Sequence, residues 1–327
     1  MALSILFSFT LYLLIFSIRQ RAFQKLSRAL IMLNLAFILA ACQPETQKKN
    51  VLRVNFTPHF AGQALQCGQA ISLRNQQWQT LAFSMFLSEF SLNDTKSVIL
   101  DDNDWQSQQV GLIRYVADCG QQSANMSISG VIENVSNSNT ETPDLYTLMR
   151  SNTLDTKQKI RLNFTIGLPF KLNHQNPLIQ PSPLNDSSMF WAWRNGYKFI
   201  RWDMQSTAVK SEASTSINNT ASNLASDSWS FHLGSIGCES AAMVRAPKQA
   251  CAQSNSVAQS LLLDKDSISI DEISQHETSL VLNVDIHLDE ILGSVELTRQ
   301  NSCMFSSIDN ITCNELLENL KSQLVFQ

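Results

Sequence analysis

The residue types best suited to chemistry are concentrated in one segment, residues 167–203, which holds four of the eight prolines. His174, Met189, Trp191 and Trp193 follow one another within it. An imidazole and a thioether are both metal ligands, and the Met sulfur favours soft ions. Met and aromatic side chains beside prolines are, however, more often a hydrophobic cluster under a long loop. The segment therefore predicts either a metal site or local packing.

A second histidine, His232, lies in the middle of an apolar run, Trp229–Leu233, which is followed by a Gly-containing turn and Cys238. A ring buried among apolar side chains needs a hydrogen-bond partner or a metal for its nitrogens. His232 is therefore a candidate ligand from a distant part of the sequence.

Two local conformations fit the residues around Met189. Asn185 or Asp186 can cap a short helix that Gly196 ends. Met189 and Trp193 then lie one turn apart on that helix. Alternatively, the Asn-Gly pair ending at Gly196 is a hairpin turn, which places the two tryptophans on one face. Either conformation holds a thioether and an indole close together.

The elements that must position these residues are mostly strands. Runs that alternate polar and apolar residues with a period of two predict half-buried strands. They are Val51–Phe56, Leu81–Leu92, Ile160–Leu168, Tyr197–Trp202, Trp229–Leu233 and Thr278–Leu288. Helical periodicity is clearest at Cys313–Leu324, and the polar stretches Glu133–Asn152 and Gln205–Asp227 read as insertions. We predict an all-β, β-sandwich-like domain of antiparallel strands, with one or two short helices and long polar insertions.

Four motifs together resemble the metallo-mystery-pair four-Cys family, the copper-binding MbnP-like proteins. The first is the segment at 167–177, which contains Asn173-His174 before the Pro-rich loop, and the second is the run at 183–199, which contains Met-Phe-Trp-x-Trp at 189–193 and Gly-Tyr-Lys-Phe at 196–199. The third is Phe-His-Leu-Gly-Ser at 231–235 with the following residues to Cys238, and the fourth is Cys303-Met304 with Cys313. The resemblance covers most of residues 51–320. It implies an exported copper-binding protein paired with a dihaem cytochrome-type peroxidase homologue, MbnH-like, which oxidises one Trp of its partner to kynurenine. The chain itself has no Cys-x-x-Cys-His haem motif, so the haems would belong to the partner.

The resemblance and the donor chemistry select the same metal ligands. We expect His174, His232 and Met189 to bind the metal, with His59 as a weaker fourth candidate. Thioether and imidazole donors favour copper, Cu(I) in particular. No acidic cluster converges with the motifs, which disfavours calcium.

Trp191 and Trp193 are the candidates for oxidation, with Trp191 marginally favoured. Both indoles could instead only pack, as large aromatic residues do. His276 and His287 lie among acidic residues and are typical of solvated surface histidines.

The N-terminus predicts an export signal. A basic stretch precedes an apolar run that ends at Leu39-Ala40-Ala41-Cys42, which resembles the bacterial lipobox, whose Cys is acylated. We expect residues 1–41 to be a lipoprotein leader, 42–50 a tether and 51–327 the MbnP-like β domain. The alternative is a single transmembrane anchor with an incidental Cys.

Two further features bear on the destination of the chain. An additional apolar run at residues 1–18 indicates that translation starts further in, or that the chain has an additional N-terminal span. Gln43 rather than Asp follows the Cys, which by resemblance to Gram-negative lipoproteins implies an outer-membrane lipoprotein facing the periplasm or the cell surface.

The remaining cysteines suit an oxidising compartment. If Cys42 is acylated, six are left: Cys67, Cys119, Cys238, Cys251, Cys303 and Cys313. An even number favours disulfides over thiolate metal sites. Sequence proximity favours the pairs Cys238–Cys251 and Cys303–Cys313, which leaves Cys67–Cys119.

The charge balance of the chain and the absence of known catalytic motifs disfavour two classes of function. Four basic residues lie in the first 41 positions, which leaves 20 basic against 28 acidic groups in the rest. An acidic body disfavours nucleic acid as a partner. The sequence has no P-loop, Gly-x-Ser-x-Gly or His-Glu-x-x-His motif, so we do not expect an enzyme. The alternative to a copper-binding lipoprotein is a structural or glycan-binding surface β-sandwich lipoprotein.

Overall fold

The computed structural model describes most of the chain after residue 48. The described ranges are 49–74, 76–94, 96–107, 109–116, 124–132, 159–192, 194–207, 227–274, 277–305 and 310–327. The predicted leader, Cys42, Cys119, Trp193 and His276 lie outside them, as does most of both predicted polar insertions. Within the described ranges no helix is long and apolar enough to span a membrane.

Fourteen strands form the body of the described chain. They are β1 (Lys49–Phe60), β2 (Gln63–Ala64), β3 (Ala70–Leu73), β4 (Gln76–Leu92), β5 (Lys96–Leu100), β6 (Val110–Val116), β7 (Ser127–Ile132), β8 (Ile160–Ile166), β9 (Phe190–Ala192), β10 (Gly196–Thr207), β11 (Ser228–Gly234), β12 (Val257–Leu263), β13 (Ile268–Ser274) and β14 (Glu277–His287). The helices are α1 (Phe170–Asn173), α2 (Leu288–Leu292) and α3 (Ile311–Leu320). The predicted all-β, sandwich-like class is confirmed.

The strands are arranged in two groups that β4 joins. One group has the order β5-β7-β1-β14-β13. In the other, β4 pairs with β10 along its first half and with β8 along its second, while β11 extends β10 and β12 extends β8. The long strand β4 also pairs with β5 at Ser91 and Leu92, so it links the two groups.

The pairing of β1 with β14 is parallel, whereas the other named strand pairs are antiparallel. Eleven residue pairs run in register from Lys49 opposite Glu277 to His59 opposite His287. Alternation of residue types is the same in both arrangements, so the sequence predicted the two strands but not their parallel direction.

The interior is filled by the inward-facing residues of these strands. Trp78, Trp202 and Trp229 are among the largest fully buried side chains, and the Trp202 and Trp229 rings pack edge to face with centroids 5.5 Å apart. The alternation in β8 is typical, because every second residue from Ile160 to Ile166 is buried. This packed interior fixes which side chains of β10 and β11 face outward.

Strand and helix positions agree with the sequence prediction, while the ends differ by a few residues. β1 begins at Lys49, two residues inside the predicted tether, and β10 continues to Thr207, three residues into the predicted insertion that starts at Gln205. The helix predicted at the C-terminus is α3, with Asn310 as its cap.

Two disulfides are formed as sequence proximity predicted. They join Cys238 to Cys251 and Cys303 to Cys313. Cys67 is also disulfide-bonded.

Candidate metal centre

The candidate centre is built on the outward face of the β10–β11 ladder. Arg201 is opposite His232 and Asp203 is opposite Ser230 in this antiparallel pair, so the four side chains share one face. Arg201 Nε donates to Asp203 Oδ2 at 2.7 Å, and Ser230 Oγ donates to Asp203 Oδ1 at 2.8 Å. The His232 ring completes the group with its Nε2 at 2.8 Å from Asp203 Oδ1.

This contact fixes the tautomer of His232. An ionised carboxylate only accepts hydrogen bonds, so His232 Nε2 must carry the proton and donate to Asp203. The other ring nitrogen, Nδ1, then presents a lone pair. Nδ1 is buried, and no group in the described residues hydrogen-bonds to it. A histidine held by a carboxylate at one nitrogen with the other left free is the arrangement found at metal-ligating histidines.

Asp203 is strongly biased towards its charged form. Burial alone would raise the pKa of this carboxyl, but hydrogen bonds from His232, Ser230 and Arg201 lower it well below its usual value. The carboxylate therefore remains an acceptor across the physiological pH range and keeps His232 in one orientation.

Trp191 lies over this face beside His232. It belongs to β9, which pairs with the start of β10 as a hairpin, and Gly196, the first residue of β10 and opposite Ala192, has φ of +78°. A Cβ on Gly234 would lie 2.6 Å from Trp191 Cζ3, so the absence of a side chain there makes room for the indole. The Trp191 and His232 ring centroids are 6.5 Å apart, with the planes tilted by 53°. The hairpin alternative is thus confirmed for Trp191.

The residues before β9 form a single 3₁₀ turn, Ser187–Met189, which Asp186 caps by accepting from Ser188 N. The cap that the sequence indicated is therefore present, although the turn is too short to be the predicted helix. Met189 is fully buried in the hydrophobic core.

His174 ends the short helix α1 and is 5% exposed. Its Nε2 lies 3.3 Å from Asn173 Nδ2 and 3.5 Å from Cys251 Sγ, and its ring packs edge to face on Phe170 with centroids 5.1 Å apart. The candidate ligand predicted from the Asn-His motif is thus held against the Cys238–Cys251 disulfide.

His174, Cys238 and Cys251 place one donor atom each within 4.8 Å of one another. Such a set would suit a soft or borderline metal ion if both sulfurs were thiolates. The sulfurs are joined to each other in the structure, and a disulfide lacks the negative charge that makes a thiolate a strong ligand. The geometry therefore offers one strong donor here, the imidazole.

Asn173 connects His174 to the β10–β11 face. Its Nδ2 donates to Ser235 Oγ, and its Oδ1 accepts from Tyr197 N at 2.9 Å. A Cβ on Gly196 would lie 2.4 Å from Asn173 O, so only glycine allows this approach. Ser235 is three residues beyond His232, about 10 Å along an extended chain. The structure thus places His174 and His232 near the same end of β11.

His59 is positioned elsewhere. It lies on β1, in the other group of strands, where its ring is 5.6 Å from that of His287 and its Nε2 is 3.3 Å from Asp285 Oδ1. The proposed fourth ligand therefore has two potential metal-binding neighbours of its own.

One residue essential to this geometry, Asp203, was not singled out from the sequence. Asp203 lies on the outward face of the predicted strand Tyr197–Trp202 extended by one residue, and its alternation with buried Trp202 was the available signal. Ser235 was predicted as the last residue of the Phe-His-Leu-Gly-Ser motif, but its hydrogen bond to Asn173 depends on tertiary structure.

Comparisons with known proteins identify the chain's relatives. A family model described as MbnP matches residues 49–305. Among solved structures, MbnP from Methylosinus trichosporium is similar with a TM-score of 0.56 and 19% identity over 81% of this chain and 86% of that one. At this identity the likeness shows a shared fold. No curated protein matches the sequence.

Proposed function

The chain belongs to the MbnP family, and we propose that it is a copper-binding protein of the cell envelope. His232 is the central ligand, through Nδ1, with His174 and Met189 as the further protein donors. Copper is the ion that the family resemblance implies.

The observation that carries this proposal is the buried Nδ1 of His232, which has no hydrogen-bond partner among the residues that the structure describes. Leaving a buried polar nitrogen without a partner costs roughly 1–3 kcal/mol, so its position calls for a ligand. Asp203 fixes the proton on Nε2 and directs the lone pair of Nδ1 away from itself. Bound copper would act here as a Lewis acid that accepts nitrogen and sulfur lone pairs. The residues present fit that requirement.

Donor chemistry favours copper over harder ions at this face. Imidazole suits copper and zinc, while the Met189 thioether selects for Cu(I). Asp203 is already engaged by three hydrogen bonds from Ser230, Arg201 and His232. It therefore acts through His232 rather than as an oxygen ligand.

Trp191 supports a second part of the proposal, namely that the chain is a substrate for oxidation rather than an enzyme. Its indole is half-buried and lies beside His232. We expect a dihaem peroxidase homologue to oxidise it with two equivalents of hydrogen peroxide, which cleaves the indole C2–C3 bond, leaves one oxygen on each of the two carbons and releases two waters. Hydrolysis of the resulting N-formyl group by one water then releases formate and leaves kynurenine. The aromatic amine of that product would add a nitrogen donor next to His232.

Trp193 remains the second candidate for this oxidation. It follows β9 by one residue and lies outside the described ranges. Attachment to the outer membrane through acylated Cys42 is part of the same proposal, since export supplies both the oxidising compartment and access to the partner.

The test is Cu(I) binding by the full chain, measured under anaerobic conditions by competition with a chromophoric chelator. His232→Gln retains an amide N–H group that can donate a hydrogen bond to Asp203, but it has no metal-binding nitrogen at the position of Nδ1. We expect one copper per chain in the native protein and at least 100-fold weaker binding in the variant, because second-shell changes alone cost about 10–100-fold. His287→Gln is the matched control, and its binding of Cu(I) should be unchanged.

Peptide mapping after co-expression with the dihaem partner tests the oxidation. A net gain of one oxygen and loss of one carbon in the Trp191 peptide, absent from Trp191→Phe, is the expected result. Unchanged Cu(I) binding by His232→Gln would refute the site. Glycan binding by a chain that retains no copper would favour a structural or glycan-binding lipoprotein instead.

A further inference from the structure

We propose a second metal site, for a divalent late transition-metal ion, formed by His59 and His287 with Asp285. These residues lie on the parallel β1–β14 pair, whereas the copper site of the proposed function is built on β10 and β11. The inference does not depend on copper binding at His232.

The parallel register brings the two imidazoles together. His59 is directly opposite His287, and in a parallel pair both side chains project to the same face of the sheet. The ring centroids are 5.6 Å apart and the planes are tilted by 51°. Two imidazoles bound to one tetrahedral ion at about 2.0–2.1 Å would have centroids roughly 5 Å apart. The ring spacing is compatible with a shared ion. The donor atoms of His59, Asp285 and His287 do not already lie within 4.8 Å of one another, so ion binding requires the side chains to rotate until the donors converge.

Asp285 supplies a third donor on the same face. It precedes His287 by two residues on β14, so its side chain projects to the same side. Its Oδ1 lies 3.3 Å from His59 Nε2. Two imidazoles and a carboxylate on one side of an ion leave further coordination positions for water or another ligand.

The backbone around these residues is held from several directions. Pro58 and Ile286, which alternate with the donors, are buried. The backbone N–H groups of Asp285 and His287 donate to the C-terminal segment, at Gln327 O and Val325 O. A site built on paired strands loses less conformational entropy on binding than one built on a loop.

Exposure and charge also favour a cation here. The His59 side chain is 17% exposed and that of Asp285 is 44% exposed, so an ion can reach the donors from solvent. Along β1 the alternate positions that include His59 carry two other basic residues, Lys49 and Arg53, and the nearer, Arg53, lies six residues before His59, about 20 Å away along an extended strand. The described part of β14 carries no basic residue besides His287.

The donor set points to the class of ion. Imidazole with carboxylate suits Zn(II), Cu(II) and Ni(II), and the Irving–Williams order makes Cu(II) the tightest binder among them. This preference is the opposite of the soft Cu(I) preference expected near Met189. One chain would thus bind copper in its two oxidation states at separate places.

The test uses the full metal-free chain titrated with Zn(II) alone in a calorimeter, and with Cu(II) alone for electron paramagnetic resonance. We expect one Zn(II) per chain whose affinity falls at least 100-fold in both His59→Gln and His287→Gln, because removal of a ligand should exceed the 10–100-fold cost of second-shell changes. Asp285→Asn should weaken binding less. His232→Gln is the control and should retain this Zn(II).

The Cu(II) spectrum provides a readout that a folding defect would not reproduce. In the native chain the nitrogen hyperfine pattern should show two equivalent imidazoles, and either single His variant with native circular dichroism should show one. Zn(II) binding that survives both His variants, or that is lost only in His232→Gln, would overturn the assignment. Loss in both, with the His232 control intact, would support it even if Cu(I) binding at His232 failed.

Discussion

His232 and Asp203 lie diagonally across the β10–β11 ladder, with His232 Nε2 2.8 Å from Asp203 Oδ1. This contact determines which ring nitrogen is protonated and which can bind a metal. Both residues are largely buried, at 9% and 18% side-chain exposure, so water cannot easily replace either partner. The orientation of the proposed ligand therefore depends on a residue that would not touch the metal.

Replacement of Asp203 by Asn tests this dependence. The amide can still contact Nε2, but it no longer requires a proton there, so the two tautomers become closer in energy. We expect Cu(I) affinity to fall about 10–100-fold, as for other second-shell substitutions. Chelator competition measures the loss. Asp264→Asn, which replaces a carboxylate that caps the turn after β12, is the control and should leave the affinity unchanged.

The lowered pKa of Asp203 predicts a pH dependence of stability. The ordinary value is 3.8 and the folded value is lower, so below about pH 4 the unfolded state binds more protons than the folded state. The stabilisation is fully present above pH 4 and is lost as the pH falls towards the folded pKa. Urea unfolding at a series of acidic pH values should show a steeper loss in the native chain than in Asp203→Asn. Equal slopes would contradict the prediction.

Sequence alone predicted the strands that carry the site because period-two alternation reports directly which face is buried. Trp229–Leu233 and Tyr197–Trp202 were located in this way, and both lie within the observed β11 and β10. Alternation carries no information on strand partners. The parallel pairing of β1 with β14, and with it the contact between His59 and His287, therefore required the structure.

The sequence predicted which residues belong to the site better than it predicted how those residues are arranged. Motifs identified His174, His232 and Trp191, and the structure places Trp191 beside His232. The role of Asp203 could not be read from the sequence, because an acidic residue at a strand end is usually solvated. Its function follows from its position diagonally across the ladder from His232, and that position depends on the register of β10 and β11.

Removal of the Cys238–Cys251 disulfide separates its structural role from metal binding. The bridge closes a loop with a sequence separation of 13, for which chain entropy predicts a loss of about 2–4 kcal/mol in the double variant Cys238→Ser/Cys251→Ser. His174 also loses its contact with Cys251 Sγ. Chemical denaturation measures the loss, and Cys303→Ser/Cys313→Ser gives a comparison with a similar loop. If the sulfurs are not ligands, the double variant Cys238→Ser/Cys251→Ser should lose no more Cu(I) affinity than His174→Ala, which removes only the imidazole.

Gly196 and Gly234 have no side chain, and neighbouring groups of the site occupy the space that a side chain would need. Substitution of each by Ala should lower the stability of the chain by different amounts. In Gly234→Ala the new Cβ would meet Trp191 Cζ3 at 2.6 Å and Tyr197 O at 2.9 Å. The indole is half-buried and can shift, so we expect a loss of about 1–3 kcal/mol together with a displaced Trp191. In Gly196→Ala the Cβ would meet Asn173 O at 2.4 Å, and φ of +78° adds strain that a non-glycine residue tolerates poorly.

Gly196→Ala should therefore lose more stability than Gly234→Ala. Its nearest obstacle is the backbone oxygen of Asn173 and its φ is positive, whereas the atom nearest the new Cβ in Gly234→Ala belongs to an indole that can shift. Near-ultraviolet circular dichroism gives a second comparison of the two glycine variants. The signal of the Trp191 indole is identified by its loss in Trp191→Phe. Gly234→Ala should change this signal and lower oxidation of Trp191 by the haem partner while the chain stays folded. If Gly234→Ala leaves both the signal and the oxidation unchanged, Trp191 does not need its contact with Gly234 to be positioned beside His232.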